Sequence, residues 1–156
     1  GVILDLRGNG GGLLSVAQDL AGIWLRNKVI VEERSVGGSS EKLRAGADTI
    51  LKGVPTVVLI NGSSASASEI VAGALQDHGA ATLVGEKTFG KGSVQQLIDL
   101  SNGAVLKVTI AKWYTPKGKN INEAGIQPTK KVELTADDAN AGRDPQLNAA
   151  LDILEE

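Results

Sequence analysis

Four groups of residues in this chain have the types and spacing that acyl-transfer chemistry uses. The first is a serine run, Ser63-Ser64-Ala65-Ser66-Ala67-Ser68, set between an apolar run, Thr56 to Ile60, and a helical pattern. A serine at a strand–turn–helix junction presents its hydroxyl on the turn. The unpaired N–H groups of the helix's first turn then face developing negative charge. Ser66-Ala67-Ser68-Glu69 equally matches a capping box, in which the serine only caps the helix and Glu69 reaches back. Composition does not choose among Ser63, Ser64, Ser66 and Ser68.

The second group is Phe89-Gly90-Lys91-Gly92. A lysine between two glycines can approach another backbone with little steric obstruction. A lysine that acts as a base must be neutral. Its pKa then falls from about 10.4 towards 7–8, a cost of roughly 4 kcal/mol met by desolvation. The plainer reading is a solvated turn lysine. The third is Gln95, whose amide oxygen could hold a lysine amine without raising its pKa as a carboxylate would, or which is simply a strand residue facing solvent. The fourth is Gly8-Asn9-Gly10-Gly11-Gly12, whose backbone N–H groups could supply half of an oxyanion hole, worth about 3–4 kcal/mol per donor.

The elements that must position these groups are legible in outline. Val2-Ile3-Leu4-Asp5-Leu6 reads as a short buried strand. Leu13 to Leu25 has helical apolar spacing at Leu13, Leu14, Val16, Ala17, Leu20, Ala21, Trp24 and Leu25. Lys28 to Val36 reads as a strand and Gly37 to Ser40 as a turn. Thr56 to Ile60 is the clearest buried strand, and the helix after the serine run covers Ala67 to His78. Thr82 to Gly85 is another buried strand, and Lys87 to Gly92 a loop. Gln95 to Leu100 and Ala104 to Tyr114 form a hairpin across Ser101-Asn102-Gly103. Thr115 to Gly118 is a turn. Asp144-Pro145 opens a last helix to Leu154, with aspartate as N-cap and proline at the first helical position. Strands alternating with helices, then a hairpin, predict an α/β domain with a mixed sheet.

The bulk numbers set the frame. With 156 residues, 42% hydrophobic and 22% charged, the chain can bury one core as a single domain over 1–156. A net charge of −2 gives no electrostatic case for nucleic acid or an anionic membrane. Zero cysteine excludes a disulfide framework and a thiolate metal site, and the single histidine, His78, argues against a histidine zinc site. No stretch approaches the roughly 18 apolar residues of a membrane span. The chain holds no Met and opens directly in a strand-like run, so the expectation is that Gly1 lies inside a longer polypeptide.

Taken together and in this order, the residues resemble the carboxyl-terminal processing proteases, also called tail-specific proteases. The resemblance is carried by Asp5-Leu6-Arg7 with the glycine loop, by Ser64-Ala65-Ser66-Ala67-Ser68-Glu69-Ile70 with Ala72-Gly73-Ala74-Leu75, and by Gly85-Glu86-Lys87-Thr88-Phe89-Gly90-Lys91-Gly92. Gln95, Tyr114-Thr115-Pro116, Gly125-Ile126 with Pro128, and Asp144-Pro145-Gln146-Leu147 extend it. The resemblance implies a ββα-spiral core like that of the crotonase and caseinolytic-protease superfamily, with a mixed sheet and a C-terminal hairpin. It implies a serine endopeptidase that cleaves unstructured C-terminal regions of proteins. In that reading Ser66 is the nucleophile, Lys91 the base, Gln95 the residue that orients the amine, and the N–H groups of Ala67 and Gly11 the oxyanion hole. No metal or organic cofactor is implied. The partners implied are protein tails and a PDZ domain of the same polypeptide, to which nothing in 1–156 corresponds; homo-oligomers and adaptors are left open. The location implied is the periplasm, or otherwise outside the cytoplasmic membrane.

Two residues depart from the family pattern. Gly10 stands where proline is common, and Thr129 where aspartate often follows the proline. Asp77 falls at a family position too, but eleven residues of one helix put it roughly 16 Å from Ser66 at 1.5 Å per residue. It reads as structural, fixing the helix end. The same distance removes His78 from a serine–histidine–aspartate triad and leaves lysine as the base. Two other readings compete. One is a catalytically silent scaffold or peptide-binding module of the same fold. The other is dinucleotide binding at Gly8 to Gly12, with Glu32 or Glu33 as the carboxylate, although Leu13 stands where the last glycine or alanine belongs.

Overall fold

The computed structural model describes residues 1–155. Its organising element is a strand, β4 (Thr56–Ile60), in which all five residues are buried. A strand buried on both faces must have cover on both, which is the situation of a parallel sheet. β4 pairs in parallel with β1 (Val2–Asp5) on one side and β5 (Thr82–Gly85) on the other, and β8 (Lys130–Lys131) adds to β5. Alternation along β4 divides the core. Val58 and Ile60 join Leu83 under the helices α1 (Leu14–Gly22) and α2 (Ala67–Asp77), packing on Ile70, Val71 and Leu75. Val57 and Leu59 join Val84 on the opposite face under α4 (Pro145–Glu155), packing on Ala149 and Ala150.

A second, antiparallel sheet has the order β3-β2-β7-β6, made of β2 (Val29–Ser35), β3 (Ser40–Arg44), β6 (Ser93–Asp99) and β7 (Val105–Tyr114). The β6–β7 hairpin is joined through Ser101-Asn102-Gly103 and stands largely in solvent. The expected α/β combination of parallel and antiparallel strands is therefore present, segregated into two four-stranded sheets. A short helix, α3 (Ala136–Asn140), begins at Thr135, whose hydroxyl accepts the Asp138 N–H. None of the helices is long and apolar enough to cross a membrane among the described residues.

Several boundaries differ from the sequence reading. The first helix stops at Gly22, because Ile23 and Trp24 donate to carbonyls three residues back (3.2 and 3.1 Å) and tighten the chain into turns. β3, β8 and α3 were not expected. Asp144 does cap the last helix, accepting the Leu147 N–H at 2.9 Å. Asp77, expected to fix the helix end, instead bonds a turn: its carboxylate accepts the Lys117 N–H at 2.8 Å.

Candidate active site

The strands β1, β4 and β5 are parallel neighbours, so the loops at their carboxyl ends emerge side by side. That edge is where open α/β sheets place their ligands. β1 delivers the glycine loop, β4 delivers Ser66, and β5 delivers the loop that carries Lys91. Three segments far apart in sequence are brought together by sheet order alone.

The serine turn is built from polar contacts. The Ser64 hydroxyl donates to the Leu6 carbonyl (2.7 Å) and accepts the Asn61 N–H (3.0 Å). Ala65 N–H donates to the Asn9 carbonyl (3.0 Å), which holds the glycine loop against the turn. Ser66 then sits at the N-cap of α2 with φ 58° and ψ −121°. A non-glycine residue in this region carries strain on the order of 1–3 kcal/mol and persists only where its surroundings enforce it. Its hydroxyl faces the Glu69 amide as in a capping box, but the Glu69 N–H goes to the Ser66 carbonyl (2.9 Å). The Ala67 N–H has no acceptor among the described residues and points from the helix's first turn beside Ser66.

Glu69 is the residue that joins the parts. It is fully buried and accepts four hydrogen bonds. Oε2 takes the Ser66 N–H and the Lys91 N–H, both at 2.8 Å. Oε1 takes the Gly90 N–H at 2.7 Å and the Thr88 hydroxyl at 2.6 Å. The backbone nitrogens of Ser66 and Lys91 thus share one oxygen and lie within two hydrogen-bond lengths of each other. The lysine loop is fixed further by Phe89 N–H to the Ser64 carbonyl (3.0 Å) and by the Thr88 hydroxyl, which accepts the Ile126 N–H (2.7 Å). Gly92 fits because a side chain there would run into the Asn122 backbone.

The side chains are not joined in the same way. Lys91 is exposed, and its amine makes no hydrogen bond with Ser66 or Gln95 among the described residues. Gln95 lies on β6 opposite Thr109, just past a bulge at Val94/Gln95, and is also exposed. Gly11, with φ 92°, packs against Ser66: a Cβ there would meet Ser66 Cβ and the Ala67 nitrogen at 2.8 Å. Its N–H donates to Asn9 Oδ1 at 2.9 Å. A cavity of about 110 Å³ opens beside Gly11 and Ala67, walled by Leu6, Leu13, Val16, Leu20 and Val71. His78 is remote from this cluster, its ring bonded to the Val29 carbonyl at 2.7 Å. Among the described residues no three or more His, Cys, Asp or Glu side chains are grouped as metal ligands would be.

The sequence profile of peptidase family S41 matches residues 1–132, the span that contains all three loops. The chain belongs to this family. It is 47% identical over 157 residues to the carboxyl-terminal-processing protease of Synechocystis sp., covering 99% of this chain and 36% of that protein. It is 42% identical over 135 residues to the carboxy-terminal processing protease CtpA of Bacillus subtilis, covering 86% of this chain and 29% of that protein. Among solved structures, the photosystem II D1 C-terminal processing protease superposes with a TM-score of 0.79 at 38% identity, covering 84% of this chain and 34% of the other. The tricorn protease shares the fold, with a TM-score of 0.67 at 22% identity over 97% of this chain and 14% of its own length. The chain spans about a third of the length of the first two relatives it matches.

Sequence reasoning missed two residues of this site. Glu69 was visible as half of a capping box and as a member of the family motif, patterns that give no sign of the three donors it takes from residues 88–91. Asn9 was read only as a member of a glycine loop, although its backbone and side chain bond both the serine turn and Gly11.

Proposed function

We propose that this S41 chain carries the catalytic core of a serine endopeptidase that cleaves unstructured C-terminal regions of proteins, by acyl transfer through Ser66 and Lys91. The observation that carries the proposal is the strained Ser66 at the head of α2, with an open Ala67 N–H beside it and Glu69 tying its backbone to that of Lys91. Strain of this kind collects at functional sites, and the α2 N-terminus favours the negative charge of a tetrahedral intermediate.

In the proposed reaction the Lys91 amine takes the Ser66 hydroxyl proton. Oγ attacks the peptide carbonyl carbon, and the oxyanion is held by the Ala67 and Gly11 N–H groups. Lys91 returns the proton to the leaving amine, and water repeats the cycle on the acyl-enzyme. Gln95 orients the lysine amine. The apolar cavity beside Ala67 and the exposed Leu13, Val16 and Phe89 side chains support a substrate tail with small apolar residues. No cofactor enters this scheme. The names of the relatives support the tail-cleaving specificity, and a location outside the cytoplasmic membrane is proposed on family resemblance alone.

A second reading, a catalytically silent peptide-binding module, draws on one observation: Lys91 is exposed and not bonded to Ser66. One experiment separates the two. A carrier protein ending in an unstructured apolar tail is incubated with the chain and weighed by mass spectrometry. The proposal expects the tail to be shortened by the wild type and left intact by Ser66→Ala. A tail that binds both proteins and is cut by neither supports the silent module instead.

A further inference from the structure

The Gly11 amide is already engaged. Its N–H donates to the Asn9 side-chain oxygen at 2.9 Å, while the glycine itself is pressed against Ser66 and the Ala67 nitrogen. Of the two donors assigned to the oxyanion, Ala67 is open and Gly11 is covered by a carbonyl from within the chain. We propose that Asn9 gates the oxyanion hole: its side-chain oxygen holds the Gly11 N–H until the oxyanion of the tetrahedral intermediate displaces it. This rests on the acyl-transfer reading above, with Gly11 as the second donor.

The surroundings of Asn9 allow such an exchange. Its backbone is anchored independently, the N–H to the Leu6 carbonyl (3.2 Å) and the carbonyl to the Ala65 N–H (3.0 Å). The residue is exposed, and its side chain makes no other hydrogen bond among the described residues. The side chain can therefore swing out while the loop stays in place. A substrate peptide oxygen is a neutral acceptor like the Asn9 oxygen, so the Gly11 N–H gains nothing by switching in the ground state. An oxyanion forms a hydrogen bond roughly twice as strong. The exchange becomes favourable only as charge develops, which confines the Gly11 contribution to the transition state. Asn9 also slows the reaction by the worth of one neutral hydrogen bond, roughly fivefold.

The test uses the 156-residue chain and a fluorophosphonate probe, with labelling followed by intact mass. In this reaction the Oγ–P bond forms, the P–F bond breaks, fluoride leaves, and the hydroxyl proton passes to Lys91. The probe's phosphoryl oxygen takes the place of the oxyanion. Asn9→Ala is expected to be labelled about fivefold faster than wild type. Asn9→Asp is expected to be labelled about tenfold more slowly, because a carboxylate holds the Gly11 N–H more tightly and its charge repels the oxyanion. By nuclear magnetic resonance, the Gly11 amide proton is expected to exchange faster in Asn9→Ala than in wild type. A purely structural role for Asn9 predicts slower labelling of Asn9→Ala. Wild-type labelling with no gain in Asn9→Ala, or an unchanged Gly11 exchange rate, overturns the gate alone. A folded wild type and a folded Asn9→Ala that both resist the probe overturn the acyl-transfer reading, and the gate with it.

Discussion

Glu69 makes one buried carboxylate a shared anchor of two loops that the sheet brings together from positions 19 to 22 residues apart. A glutamine there presents an NH2 group where an oxygen now accepts two donors, so at least one buried N–H loses its partner. Glu69→Gln is expected to lower unfolding stability by about 2–3 kcal/mol in urea titrations and to slow serine labelling, because Ser66 and Lys91 lose their common tether. Gly11→Ala combines a φ of 92° with a Cβ 2.6 Å from the Ala65 carbonyl oxygen. It should abolish labelling and lower the melting temperature together, whereas a loop glycine with open space, Gly10, should accept alanine without loss of stability. These roles were partly legible. The serine run, the lysine between glycines and the glycine loop stand out by residue type, while the choice of Ser66 within the run came only from the family resemblance. The Glu69 contacts to residues 88–91 and the Asn9 carbonyl contact to Ala65 could not, because each depends on which strands are neighbours.

At the scale of elements, β4, β5 and α2 were readable because burial and capping leave marks in sequence: an unbroken apolar run, and a Ser-x-x-Glu start. β3 was not readable, since Ser40-Glu41-Lys42-Leu43-Arg44 has one apolar residue and becomes a strand only by pairing with β2. The two residues of β8 are likewise drawn out by the edge of β5. Leu59 fills the face beneath α4 with no exposed surface, and Leu59→Ala should cost about 2–5 kcal/mol. The same helix is latched to the glycine loop by Arg7, which bonds Asp5 (2.7 Å), Asp144 (2.9 Å) and the buried Gln146 (3.0 Å). Hydrogen bonds from Arg7 hold the Asp5 carboxyl below its ordinary range. A lowered carboxyl contributes stability that is present above its unfolded value and is lost as pH falls through the lowered one. Melting temperature measured from about pH 6 down to about pH 3 should therefore fall in the wild type below about pH 4. In Arg7→Met the overall stability should be lower and this acid slope shallower. An unchanged slope would contradict the role given to Arg7.

At the scale of the molecule, one parallel sheet sends three loops to one edge, and two apolar clusters pack on its faces. The fold class was legible because alternating strands and helices leave few ways to bury their faces. The division into two sheets was not, because no local pattern states where one sheet ends. The site lies wholly within the S41 match at residues 1–132. The proposed chemistry stands on Lys91 activating Ser66. The most direct test is the rate of fluorophosphonate labelling, with the modified residue located by peptide mapping, in wild type and Lys91→Ala. Label is expected on Ser66 alone, with a rate lowered on the order of 10³-fold in Lys91→Ala at an unchanged melting temperature. Equal rates in the two proteins, or label on another serine of the run, would contradict it.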